Sequence, residues 1–291
     1  MRGNGIATAI GSLSLILVLG GCVAARPAPS NGATFAAAGI AYADAVTELI
    51  EESFTLAVEA NSIQLALARD SLTEQERSER LALADRQLQR RRQLLDDVQA
   101  HAEVLRDYFT ALGTLLASGG GEAIEAALTA QLSRLPGLQE AIAAREINGV
   151  GLGSLLAPAA AMTVGHHRNA ALQRELVKRG VVIERELALQ QAVIQALVGQ
   201  MRDDAHFIAT IRDVNPVYED YVSARRLPAR WPQQRVKKFT QLSRLKSLDK
   251  LNQAADEMRA AWIALVENEA AAGGWNLFLQ DIEHLLSVLE T

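Results

Sequence analysis

Apolar residues recur every seven positions along three long stretches of the chain that contain no proline. In the first stretch, the repeating residues are Phe35, Tyr42, Leu49, Leu56 and Ile63. Apolar side chains at this spacing lie on one face of an α-helix. The row therefore predicts an amphipathic first helix of roughly 35 residues, with one face buried.

The same spacing predicts three further long helices. The second begins at Thr73 and Glu76, which have the spacing of a capping box, and it ends before a run of glycines. The third covers residues 168–213, and the fourth covers 233–272. Their apolar rows are, in order, Leu81, Leu88, Leu95, Ala102, Phe109 and Leu116; Leu187, Ile194, Met201 and Ile208; and Leu251, Met258 and Leu265. In the second helix, Arg91 interrupts a companion row of apolar residues, which consists of Ala84, Val98, Leu105 and Leu112.

Shorter helices are predicted over 122–135, 138–147 and 275–290, and no segment alternates apolar and polar residues as a strand does. The predicted fold class is all-α: an elongated antiparallel bundle of about four long helices plus short ones. Spacing by seven favours coiled-coil-like packing. The rows fit packing within one chain or between the chains of a homo-oligomer.

The composition of the chain excludes several classes of protein. The chain has 291 residues, 49% of them hydrophobic, a net charge of −5 and one cysteine. One cysteine excludes a disulfide framework and a cysteine-rich metal site, and the mild acidity argues against nucleic acid as a partner. The sequence has neither a nucleophile elbow nor a His-Glu-x-x-His motif. We therefore expect no cofactor and no catalytic residues.

The first 25 residues have the pattern of an export signal. Arg2 is followed by an uncharged run from Gly3 to Ala25, with its most apolar part at 12–19, and then by Leu19-Gly20-Gly21-Cys22. A basic end, an apolar centre and small residues are typical of a secretory signal. The alternative is an uncleaved anchor, because 23 uncharged residues are enough to cross a bilayer.

The Leu19–Cys22 segment resembles the lipobox of bacterial lipoproteins. The resemblance implies cleavage before Cys22, lipidation of its thiol and acylation of its amino group. It also implies a location on the periplasmic face of the outer membrane, because Val23 stands where an Asp favours inner-membrane retention. The predicted organisation is a signal peptide over 1–21, a lipidated Cys22 with a flexible tether over 22–33, and one helical domain over 34–291. Attached acyl chains give a stable membrane anchor.

A basic segment suggests a contact site. Residues 225–250 contain nine basic residues and one acid, Asp249. One interpretation is a solvated face balanced by acids of the first helix. The other is contact with an anionic surface, such as phospholipid, lipopolysaccharide or an acidic envelope protein. The predicted contact residues are Arg225, Arg226, Arg230, Trp231, Arg235, Lys237 and Lys238.

An uncharged segment and two Asp-x-x-His pairs are further candidate sites. Residues 150–165 carry no charge, which fits either a connection folded over the end of the bundle or an apolar tip that meets a membrane or partner. The pairs Asp203/His206 and Asp281/His284 have the spacing of helical metal ligands. However, Met201 and Ile208 define the buried stripe, so Asp203 and His206 are expected to face solvent.

The sequence thus predicts a membrane-anchored, non-enzymatic helical scaffold or adaptor of the bacterial cell envelope. Two alternatives stay open. One is a binder of a small molecule or envelope polymer, and the other is a metal-dependent enzyme.

Overall fold

A computed structural model describes residues 31–118, 121–147, 150–155 and 162–267. Within these ranges the fold is all-α, as predicted. Its eight α-helices are α1 (Asn31–Ala68), α2 (Glu74–Ser118), α3 (Glu122–Leu132), α4 (Leu135–Ala143), α5 (Leu152–Leu155), α6 (Ala170–Ala209), α7 (Asn215–Ser223) and α8 (Trp231–Glu267). A 3₁₀ turn (Arg69–Ser71) follows α1, and a π-helical turn (Thr210–Val214) links α6 to α7. Two two-residue strands, β1 (Glu146–Ile147) and β2 (Val150–Gly151), pair antiparallel.

The four long helices α1, α2, α6 and α8 form the bundle. α1 packs most extensively on α2, and α6 on α8, so the bundle consists of two helical hairpins. The predicted apolar row of α1 is confirmed: Phe35, Tyr42 and Leu49 are buried, and Leu56 is half-buried. Since these side chains pack within one chain, the α1 row does not need a second copy to bury it.

An aromatic cluster joins the two hairpins near the start of α1. The Phe35 ring lies 5.5 Å from Phe109 of α2 and 5.3 Å from Trp262 of α8. Trp262 is fully buried, and its indole Nε1 donates a hydrogen bond to the Gly180 carbonyl of α6 at 2.9 Å. The cluster therefore connects all four long helices.

The first part of α2 extends beyond the main core. The predicted row is buried at Leu95, Ala102 and Phe109, but Leu81 is 50% exposed. The capping box is confirmed, because the Thr73 amide and hydroxyl both donate to the Glu76 carboxylate, at 2.8 and 2.7 Å. Arg91, which interrupts the companion row, forms an ion pair with Asp204 of α6 at 2.9 Å.

Several predicted boundaries were wrong. The predicted tether reaches residue 33, but α1 already begins at Asn31, and Gly32 lies against Leu116 and Leu172. α4 begins at Leu135 rather than 138, because Pro136 occupies its first turn, where a missing N–H costs nothing. The predicted signal peptide, Cys22, and the last helix over 275–290 lie outside the described residues.

The described parts of 150–165 belong to the bundle. Leu152 is fully buried, and Met162 and Val164 pack against the core. The Gly165 amide donates to the carbonyl of Val266, near the end of α8, at 2.9 Å. This part of the segment is a connection folded over the bundle.

α1 is long and apolar enough to cross a membrane, and in the described part of the chain it is the one helix of which this is true. Of its most apolar stretch, 56% is buried inside the bundle. The central helix of a bundle has the same length and composition, and the buried Phe35 and Leu49 show that α1 packs in this way.

Candidate functional site

The basic segment begins at the corner between α7 and α8. Tyr218 and Tyr221 on α7 are 70% and 66% exposed, and Val222 and Leu227 are also exposed. The arginines at 225, 226, 230 and 235 are exposed around them. We call this set the corner surface: Tyr218, Tyr221, Val222, Arg225, Arg226, Leu227, Arg230, Trp231 and Arg235.

An aromatic stack gives the corner surface a fixed shape. The Trp231 ring stacks on Tyr221 with 5.7 Å between centroids and 25° between planes. Its Nε1 donates to the Val217 carbonyl at 2.9 Å, and the Arg235 guanidinium lies 5.5 Å from its centroid. These contacts hold the start of α8 against α7. Trp231 is thereby a structural part of the corner as well as a half-exposed member of the surface.

Two acids of the first helix pair with arginines that lie outside the corner surface. Asp44 pairs with Arg106, and Glu59 pairs with Arg212. The one acid of the basic segment, Asp249, pairs with Arg202 of α6. Glu219 and Asp220 of α7 are the two acids within 215–236, against four arginines.

Arg225, Arg226 and Arg230 form no ion pair within the described ranges of the chain. Exposed charges without an internal partner attract a surface of opposite charge and contribute to the rate and specificity of its binding. Lys237 and Lys238 continue along α8, whose helical range includes them. Their side chains, like Cys22, lie outside the described residues.

Asp203 and His206 are both exposed on α6, as the register of Met201 and Ile208 predicted. Within the described part of the chain, no group of three or more His, Cys, Asp or Glu side chains could hold a metal ion. Asp281 and His284 lie outside the described residues.

A second polar feature, missed by the sequence analysis, is buried between the hairpins. We call it the buried polar layer: His101 and Tyr108 of α2, and Glu175, Arg179, Glu184, Glu186 and Gln190 of α6. His101 Nε2 lies 2.8 Å from Glu186 Oε2, with both side chains buried. Arg259 of α8 donates twice to Glu184 Oε1, at 2.6 and 3.0 Å.

Burial shifts the pKa of two groups of this layer, Glu175 and Tyr108. Burial raises the pKa of Glu175, and the neighbouring Arg179 guanidinium opposes that shift. Burial and then the charge of Glu175 raise the pKa of Tyr108 well above its ordinary value. Arg179 also donates to the Thr129 hydroxyl at 2.8 Å. The layer therefore couples α3 to α6 and favours one register between α2 and α6.

The signal for this layer in the sequence was weak. α6 touches α1, α2 and α8, so more than half of its residues are buried. Glu175, Glu186 and Gln190 flank the apolar row and are covered because the helix is central. The exposed tyrosines of α7 were missed for the opposite reason: within Asn215–Ser223, only Val217 is buried.

The architecture defines an all-α helical-hairpin bundle with an exposed basic and aromatic corner. Comparison of the chain with family models, with curated proteins and with solved structures finds no match.

Proposed function

We propose that the protein is a lipid-anchored, non-enzymatic scaffold or adaptor of the bacterial cell envelope. Its anchor is Cys22, and its location is the periplasmic face of the outer membrane. Its contact site is the corner surface, continued by Lys237 and Lys238, and its partner is an envelope protein with an acidic surface. The observation that carries this proposal is the set of unpaired arginines beside a fixed aromatic stack. Arginine and exposed aromatic residues are enriched in protein interfaces.

The position of the corner surface supports a protein partner over the anchoring lipid. Phe35, near the start of α1, packs on Trp262, while the corner surface lies at Trp231, at the other end of α8. At 1.5 Å per residue, these two tryptophans of α8 are separated by about 45 Å. A chain anchored through residues preceding α1 thus has its contact surface at the far end of the bundle.

The anchor is tested by lipid labelling of the full-length protein in its native bacterium. Cys22 should incorporate a labelled fatty acid, and Cys22→Ser should abolish incorporation and release the protein from the membrane fraction. A labelled and membrane-bound Cys22→Ser protein would overturn the lipobox assignment. An unlabelled wild-type chain that is nevertheless membrane-bound would instead support an uncleaved anchor.

The contact is tested by crosslinking in living cells followed by purification of a C-terminally tagged protein. The test variant is Arg225→Glu/Arg226→Glu/Arg230→Glu. The matched control is Arg86→Glu/Arg174→Glu/Arg185→Glu, which changes the net charge equally at exposed positions elsewhere on the bundle. We expect one dominant protein partner that the test variant loses and the control keeps. Equal loss in both variants would show an effect of net charge alone and would contradict a specific contact.

A vesicle experiment separates a protein partner from lipid. Purified Cys22→Ser protein should not sediment with vesicles containing anionic phospholipid at physiological salt. Salt-sensitive binding that depends on the three arginines would make the anionic lipid surface the partner and overturn the protein-adaptor proposal.

A further inference from the structure

A polar cleft opens on the side of the bundle between α1, α2 and α6. The segment Ala144–Ile147, which follows α4, closes one edge of it. Its volume is about 780 Å³. Small-molecule sites commonly fall between about 300 and 1,000 Å³, so the cleft has room for a ligand of several residues or one sugar.

Four carboxamide side chains from three helices line the cleft: Asn61 and Gln64 of α1, Gln87 of α2 and Gln200 of α6. None of the four makes a side-chain hydrogen bond within the residues that the structure describes. Each carboxamide offers two N–H donors and one carbonyl acceptor. The cleft thus presents a set of neutral donors and acceptors that suits amide and hydroxyl groups of a ligand.

Two charged residues that line the cleft, the cation Arg90 and the exposed carboxylate Glu146, have no ion pair within the described ranges. Arg91 is held by Asp204 at 2.9 Å and by the carbonyl and hydroxyl of Ser53 at 3.0 Å. Arg145 donates to Asp97 at 3.2 Å. Arg90 is exposed at the cleft and has no ion pair within the described ranges. It can therefore bind a carboxylate in the two-point manner that a guanidinium permits.

Buried apolar residues form the remaining wall. Ala57 and Ala60 of α1, Leu94 of α2 and Ile147 of β1 line the cleft, and each is at most 5% exposed. Packing of these residues fixes the shape of the site, and small carbon groups of a ligand can lie against them.

We propose that this cleft binds a small ligand with several amide or hydroxyl groups and one carboxylate, through its four carboxamides and Arg90. This chemistry is shared by a short peptide with a free carboxyl terminus and by an acidic N-acetylated sugar. The site is separate from the corner surface, so it does not depend on the adaptor proposal.

The test is calorimetric titration of purified full-length Cys22→Ser protein. The probes are N-acetyl-trialanine with a free carboxylate, the same peptide as its carboxyl-terminal amide, and N-acetylmuramic acid. We expect at least one of the two probes with a carboxylate to bind. If the peptide acid binds, the peptide amide should bind at least tenfold more weakly. The peptide and sugar titrations identify which source fits the cleft.

Two variants connect binding to the cleft. Arg90→Glu should lower the affinity at least tenfold for the probe that binds. The double variant Gln87→Ala/Gln200→Ala should do the same. The control is Arg86→Glu, one helical turn from Arg90, exposed and outside the cleft. It should leave affinity within a factor of two. Absence of binding by every probe to folded protein at millimolar concentration, or equal weakening by Arg86→Glu, would overturn the proposal.

Discussion

Gln190, near the centre of α6, has a polar amide group that is buried in the core. It is 1% exposed, and neither Oε1 nor Nε2 has a hydrogen-bond partner in the described part of the chain. A buried polar group without a partner carries a desolvation cost of about 1–3 kcal/mol. The cost falls on the folded state, because the unfolded chain exposes the amide to water.

Replacing Gln190 with Leu should therefore stabilise the protein. We expect the free energy of unfolding to rise by about 1–2 kcal/mol, because Leu has a similar volume and no polar atom to desolvate. Urea unfolding of wild type and variant measures the difference. Gln93→Leu, at an exposed position of α2, serves as the control and should change stability by less than about 0.5 kcal/mol. A less stable Gln190→Leu protein would mean that an internal water satisfies the amide.

Glu175 predicts a pH dependence of stability. Because burial raises its pKa above the ordinary 4.5, the folded state binds this proton more tightly than the unfolded state. Its contribution to stability is thus fully present below pH 4.5 and is lost as pH rises through the raised value. Urea unfolding of wild type and Glu175→Gln across pH 4–8 isolates this contribution. Relative to the variant, wild-type stability should fall as pH rises; a constant difference would contradict the assignment.

At the scale of elements, the absence of a side chain at Gly39 lets α1 pack directly against Phe109 of α2. A Cβ added there would lie 2.5 Å from ring atoms of Phe109, which is fully buried. By contrast, a Cβ on Gly199 of α6 would have no atom within 4 Å. Both glycines lie inside helices, where Gly costs about 0.5–1 kcal/mol relative to Ala.

The two glycines should therefore respond to alanine with opposite signs. Gly199→Ala should stabilise the protein by about 0.5–1 kcal/mol through helix propensity. Gly39→Ala should destabilise it by about 1–3 kcal/mol, because the ring cannot move away within a packed core. Chemical denaturation measures both, and each variant is the control for the other. Stabilisation by Gly39→Ala would show that α1 and α2 can separate without loss.

Elements were easier to predict from the sequence than were contacts. The rows beginning at Phe35 and Leu187 placed long helices correctly, because burial of one face imposes a strict spacing on apolar residues. The buried polar layer escaped prediction because Glu186 and Gln190 follow no such spacing, and their burial depends on three neighbouring helices. The basic part of the corner surface was visible as charge, whereas the exposure of Tyr218 required knowing that α7 buries so little.

At the scale of the molecule, the bundle has two unlike ends. The aromatic cluster of Phe35, Phe109 and Trp262 belongs to the main core, near the start of α1. At the other end, a small separate cluster of Ala60, Ile63 and Ile208 joins α1 to α6. The end with the aromatic cluster therefore lies next to the proposed anchor. The end with the small separate cluster carries the corner surface.

This polarity predicts what each end touches in the cell. A photoreactive amino acid in place of Ser118, exposed at the end of α2 near the start of α1, should crosslink mainly to lipid in the full-length, lipid-anchored protein. The same amino acid in place of Tyr218 should crosslink to protein, because the corner surface lies about 45 Å further along α8. Mass spectrometry of the crosslinked products distinguishes the two. Lipid adducts from both positions would mean that the bundle lies flat on the membrane, with the arginines of the corner against its headgroups, and would contradict an adaptor that reaches away from its anchor.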